Sequence, residues 1–309
     1  MLFLIGYIYY IIDLIIVYKS GIDRVRYYKI HNYVDDIIGK GFYRETKAEI
    51  TKMYIGFVSF FILSYLNNFV IKAIYEESVF AIILNFLDLY NSFFILVSLL
   101  DQISTITQLK NRLKHMGDVL EAYANCRYTM PGSFEEEIPS EKFKSSRTMM
   151  KKKLNSLKCL KDCRYFEILW FKKCYLMMLE QVDYINTLFG LKGLIGILML
   201  LFFIVALFNN FICGYYLNIV MYLCICCEGS YRQAERIVRT ADLLITNKII
   251  SEELKLSLKE LRDAVQSRPV LFHAMHFFRF DYRLLVSIAS VSVTYIVICY
   301  QNFDYGSQA

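Results

Sequence analysis

Long oily runs alternate with charged stretches along this chain. Residues 2–18, 53–74, 79–100, 191–212, 213–227 and 284–300 are each dominated by apolar side chains. A spanning helix needs about 20 predominantly apolar residues, with a floor near 17; five or six of these runs qualify, 213–227 being short, and six spans are expected. The first sits at that floor and carries Asp13, the second holds Asn67, Asn68 and Lys72, and the third holds Asp88. The prolines, Pro131, Pro139 and Pro269, all fall outside the spans. Straight helices are expected, unlike the interrupted ones that build many transporter sites. Residues 2–18 have no basic start and no small-residue cleavage site, which argues for a span over a cleaved leader.

Between the spans the apolar period changes to that of amphipathic helices. Ile106, Leu109, Leu113, Met116, Leu120 and Tyr123 recur at helical spacing, so the third span is expected to continue as helix beyond the membrane. Pro131, Gly132, the acidic run at 135–137 and Pro139 mark a loop. From Met149 a second helix is expected through Leu154, Leu157, Leu160, Cys163, Tyr165 and Leu169 into the span at Leu191. A third stretch carries Ile237, Leu243, Leu244, Ile249, Leu254, Leu258 and Leu261, and Pro269 ends it. Such stripes need burial, either inside a bundle of this chain or against other subunits.

Orientation follows from Lys and Arg, which stay on the cytoplasmic side. Residues 19–52 hold eight of them, 101–190 fifteen and 228–283 ten, which is 33 of the 35. Lys72 and Lys192 lie near span ends, where a long side chain reaches the headgroups. Six spans with those three stretches in the cytosol place both chain ends outside. The organisation expected is residues 1–100 with three spans and the cytosolic loop 19–52, then a long cytosolic helical loop at 101–190. Two spans follow at 191–227, a cytosolic helical loop at 228–283, and a last helix with an external tail at 284–309.

Composition agrees with this all-α, multi-pass transmembrane bundle with cytosolic helix extensions. Apolar residues make up 56% of the chain and charged ones 21%, against roughly 45–50% and 25% in soluble domains. Mean hydropathy is +0.37. Disorder, a secreted disulfide scaffold and a turn-rich β-barrel are excluded. The net charge of +6 is spread between oily runs and not gathered on one polar face, so no nucleic-acid partner is expected; membrane lipid is. The nine cysteines lie in apolar runs or in basic loops that face reducing cytosol, and are read as free thiols.

Chemistry-bearing groups are sparse. His273 and His276 lie three apart and would share a helix face, but zinc takes three or four protein ligands, so no metal is expected. Phosphate-cradling glycine loops and nucleophile elbows are missing from the sequence, so neither an enzyme nor a cofactor is expected. Asp13 and Asp88 matter more, because a carboxylate at mid-membrane normally faces a bundle interior or water. Around them tyrosines and asparagines are dense. Part of that density is an interfacial aromatic belt. The rest suits an outward-open pocket for a small polar molecule, with candidates Tyr65, Asn68, Asn85, Asp88, Asn209, Tyr216, Asn218 and Tyr222.

The last stretch is distinctive. Asp281, Leu284 and Leu285 lead into a helix that closes on Thr294-Tyr295, five apolar residues and Gln301, with Phe303 two places later. This resembles the C-terminal signature of insect gustatory receptors, relatives of the insect odorant receptors. Ile185-Asn186-x-x-Phe189-Gly190 resembles that family's lead-in to its fifth helix. Asn302 stands where the family has Phe, so Phe303 is one place late and turned by about 100°. The family has seven helices and a cytosolic start; six spans beginning outside imply that the first helix is missing here. The resemblance implies a tetrameric, ligand-gated, non-selective cation channel of homomeric or heteromeric assembly in the plasma membrane of sensory dendrites. The last helix of each subunit would line a pore gated near Thr294, Ile298 and Gln301, and a small-molecule tastant would bind from outside. A G-protein-coupled chemoreceptor would need a cytosolic tail, and a transporter would show inverted repeats and broken helices.

Overall fold

The computed structural model describes residues 10–11, 14–15, 18, 21–39, 41–75, 79–128, 144–206, 211–246 and 250–306, with the side chains of most of these. Seven helices and one hairpin make up the described fold. They are α1 (Gly21–Ile38), α2 (Tyr43–Tyr75), α3 (Val79–Tyr128), α4 (Lys144–Ala206), α5 (Phe211–Ile245), α6 (Glu252–Ser267), β1 (His273–Ala274), β2 (Phe278–Arg279) and α7 (Tyr282–Gly306). The chain is an all-α helical membrane bundle. Residues 53–74, 79–100 and 284–300 each lie inside one helix, and the 50 residues of α3 rise about 75 Å. Among the described residues, Tyr43–Asn67 and Ser92–Asn125 are long and apolar enough to cross a membrane.

Helices this long persist because their polar halves keep a seven-residue rhythm. On α5, Leu223, Cys227, Ser230, Ala234, Ile237, Ala241 and Leu244 alternate steps of four and three, and all are buried. Ile103, Ile106, Leu109, Leu113, Met116 and Leu120 of α3 are equally buried, and α3 and α5 form the most extensively packed pair. Small residues at Cys227, Ser230, Ala234 and Ala241 let the two backbones close on one another, as knobs and holes require. Two expectations are corrected in phase. Leu243 points outward, because Ala241 and Leu244 hold the buried stripe. On α4 the buried stripe includes Ile168, Phe171, Tyr175, Met178, Val182, Ile185 and Phe189, and Leu169 is exposed.

A buried ionic cluster ties α1 to α3. Arg112 is 1% and Asp35 0% exposed. Arg112 donates from Nε to Asp35 Oδ1 at 2.7 Å and from Nη2 to Oδ2 at 3.1 Å. Tyr43 donates a further, short hydrogen bond to Asp35 Oδ2. Burial alone would raise the Asp35 pKa, but the bonds and charge of Arg112, with Tyr43, hold it below the ordinary carboxylate range. His31 Nδ1 lies 2.7 Å from Arg112 Nη2, and His31 Nε2 lies 3.3 Å from Asp35 Oδ2. His31 Nε2 also lies 2.6 Å from Arg112 Nη2, so the guanidinium sits across the imidazole edge and a neutral ring can accept from it.

Burial first, then the Arg112 charge, lowers the His31 pKa to about 4. An unfolded histidine titrates near 6.5. Between those values the unfolded chain binds the extra proton, so stability falls as pH drops. Acidification from pH 7 to pH 5 is expected to cost about 2 kcal/mol through this side chain. Comparing melting at the two pH values in His31→Asn and the parent checks it, since the variant loses that increment. Equal acid sensitivity in both would refute it.

Candidate functional site

The last helix begins on a side chain the sequence singles out. Asp281 Oδ1 accepts from the backbone amides of Arg283 at 2.9 Å and Leu284 at 3.2 Å. It therefore caps the first turn of α7, where amides otherwise lack partners. Beyond that cap α7 packs on α4 and α5, yet among its described side chains Ile288 alone is buried. Tyr295 is half-buried.

Thr294, Ile298 and Gln301 are all exposed in the single chain. The row extends back through Ser290 and Ser287, also exposed, at steps of three and four that keep one helix face. Sequence reading missed those two serines, although the same spacing continued upstream would have found them. Thr294 Oγ1 donates to Ser290 O at 2.9 Å and Ser287 Oγ to Arg283 O at 3.0 Å. The helix satisfies its own hydroxyl protons in this way, leaving oxygen lone pairs on the open face. An oily helix with a polar stripe needs water or partner helices against it. The side chains of Asn302 and Phe303 lie outside the described residues.

Preceding α7, the connector 268–281 contains a hairpin at 273–279 and is not the simple break expected after Pro269. His273 pairs with Arg279 and Ala274 with Phe278. Met275 and His276 at its tip take positive φ of 48° and 63°. His273 and His276 thus sit on a turn and not on a helix face, with rings stacked at 3.9 Å. Among the described residues no group of three His, Cys, Asp or Glu side chains is placed to hold a metal.

Three side chains from α4 and α5 grip this connector by its backbone. Tyr175 donates to Arg268 O at 2.7 Å. Asn186 donates to Leu271 O at 2.8 Å and accepts from His273 N at 3.0 Å. Tyr231 Oη accepts from Phe272 N at 3.0 Å and faces the carbonyls of Phe272 and Phe280 at 3.3 and 3.1 Å. A β-carbon on Gly190 would lie 3.2 Å from Met275 N, and one on Gly193 2.5 Å from the Phe280 ring. The Asn186-x-x-Phe189-Gly190 element therefore has a local task, which is to seat the hairpin on α4.

The tyrosines proposed from sequence to line a pocket lie along the α2–α3–α5 seam. Tyr216 is buried and donates to Ser92 O at 3.3 Å. Tyr222 meets Phe57 edge-on at 5.6 Å, and Tyr65 packs on Phe61 at 5.1 Å. Asn218 is exposed, two positions and so about 200° round the helix from Tyr216. Asp13 and Asn209, and the side chains of Asn68, Asn85 and Asp88, lie outside the described residues.

The model of the family described as 7tm Chemosensory receptor matches residues 1–305. No curated protein matches the chain.

Proposed function

Because this chain belongs to the 7tm chemosensory receptor family, a family of membrane chemoreceptors and not of enzymes, we propose that it is a gustatory receptor acting as a ligand-gated, non-selective cation channel. The observation that carries the reading is the stripe Ser287, Ser290, Thr294, Ile298 and Gln301 on the open face of α7. In this reading four copies, alike or mixed with other gustatory receptors, turn those stripes toward a shared axis. Hydroxyl oxygens and the Gln301 amide then replace part of a cation's hydration without selecting one ion, and the Ile298 ring closes the path by dewetting.

A small polar tastant enters from outside between α2, α3 and α5, near Tyr65, Tyr216 and Tyr222. It opens the pore by binding the open arrangement more tightly than the closed one. The receptor works in the plasma membrane of sensory dendrites, with its carboxyl end outside.

Two measurements test this. Cells expressing the chain should pass tastant-evoked cation currents without accumulating the tastant, and an epitope placed after Ala309 should be stained without permeabilisation. Saturable tastant uptake in place of current would establish a transporter. An epitope reached only after permeabilisation would remove the geometry on which an outward-facing carboxyl end depends.

A further inference from the structure

Resting on the channel reading above, we propose that Asn186 and Tyr231 are positioning residues that couple α4 and α5 to the pore helix through the hairpin. Three observations combine. First, α5 is unbroken from Phe211 to Ile245, so Tyr222, beside the suggested tastant pocket, and Tyr231, on the hairpin, ride one rigid rod. Nine residues separate them, about 13 Å. Any tilt of α5 about its packing on α3 therefore moves the Tyr231 hydroxyl.

Second, that hydroxyl carries one proton but faces two carbonyls, Phe272 O at 3.3 Å and Phe280 O at 3.1 Å. These oxygens belong to opposite arms of the connector, which are joined by Phe280 N to Phe272 O at 3.0 Å. The proton can be held well by one arm at a time. A shift of α5 would therefore change which arm the hydroxyl favours, and so bias the connector. Phe280 O lies one residue before the Asp281 cap of α7, so the choice of arm is felt where the pore helix begins.

Third, the connector is held more firmly than a link needs. Asn186 fixes its first arm on α4 with two bonds, and Arg279 stacks over the Tyr231 ring at 3.9 Å. Met275 and His276 keep left-handed backbones without glycine. Such strain persists only where the surroundings over-determine it.

The test uses the full-length chain in vesicles of phosphatidylcholine with phosphatidylserine, with potassium as the probe. Tyr231→Phe keeps the ring and its Arg279 contact and deletes only the hydroxyl; Asn186→Ser releases the other arm. Each is expected to raise tastant-free potassium efflux at least about fivefold, the weight of one net hydrogen bond in an equilibrium. Potassium-over-sodium selectivity should stay at the parent value, and amides 270–281 should exchange faster. Faster exchange with unchanged efflux in both variants would overturn the coupling role and leave a purely structural clamp. Altered selectivity would also overturn it, by placing these residues in the conduction path. A parent chain that passes no potassium with any of a panel of tastants, with normal hairpin protection, would sink the channel reading and this role with it.

Discussion

Replacing Arg112 by leucine is expected to destabilise the chain by about 3–5 kcal/mol, the range for stranding one charge of a buried pair. Asp35 would keep its place at 0% exposure but lose both guanidinium bonds. Tyr43 would remain as a donor, and one neutral hydroxyl does not replace a bidentate cation. The deficit has a pH signature that identifies its source. Without Arg112, burial dominates and lifts the Asp35 pKa above its unfolded value, so the folded variant gains a proton that the unfolded chain lacks. Stability of the variant should recover as pH falls through that raised pKa, opposite to the trend set by His31. Leucine at both positions 35 and 112 should restore most of the loss, since apolar replacement of a whole buried pair is often neutral. Denaturant or thermal unfolding in detergent across pH 5–7 reads both variants against the parent. A single variant within about 1 kcal/mol of the parent would show that the pair is not buried as a charge pair.

Much of this architecture was legible because it rests on patterns that sequence carries directly. Apolar runs and their unbroken continuation into 3–4 spacing predict α3 and α4 as single rods, and the rods are there. Phase was harder. Leu169 and Leu243 look like stripe positions by residue type, but Phe171, Tyr175, Ala241 and Leu244 take the buried face, where small and aromatic partners interlock. The hairpin at 273–279 escaped because it has no strand run, and its turn lacks the glycine or asparagine that normally signals one. Its conformation is imposed from outside by Asn186, Tyr231 and the open space at Gly190, and such tertiary causes leave no local mark. Asp281 was recognised as a motif residue, but its work as a helix cap emerges from two amide contacts. The α7 stripe was half read. Thr294 and Gln301 come with the resemblance and Ile298 with the helical step between them, while Ser287 and Ser290 complete the stripe by geometry alone.

Glu at position 301 should convert a weakly selective conduit into one that favours divalent cations. Gln301 and glutamate are nearly isosteric, so Gln301→Glu adds charge with little change of shape. In the proposed four-fold assembly it places four carboxylates round the axis. At about 6 Å and the dielectric of water, each attracts a monovalent cation by about 0.7 kcal/mol, so the ring contributes nearly 3 kcal/mol per unit charge before screening. A divalent ion gains twice that, and the difference between the two is again nearly 3 kcal/mol. Screening at physiological ionic strength, with a Debye length near 8 Å, removes about half. The remainder corresponds to about a tenfold rise in calcium permeability relative to sodium, read as a positive shift of reversal potential when calcium replaces external sodium. Glu at Ser287, at the opposite end of the stripe and about 21 Å away, should act on the cytosolic side and alter rectification more than calcium preference. If Gln301→Glu leaves the reversal potential where it was while currents persist, the 301 side chain does not face the permeating ion. The conduction path would then have to be sought on another face of α7.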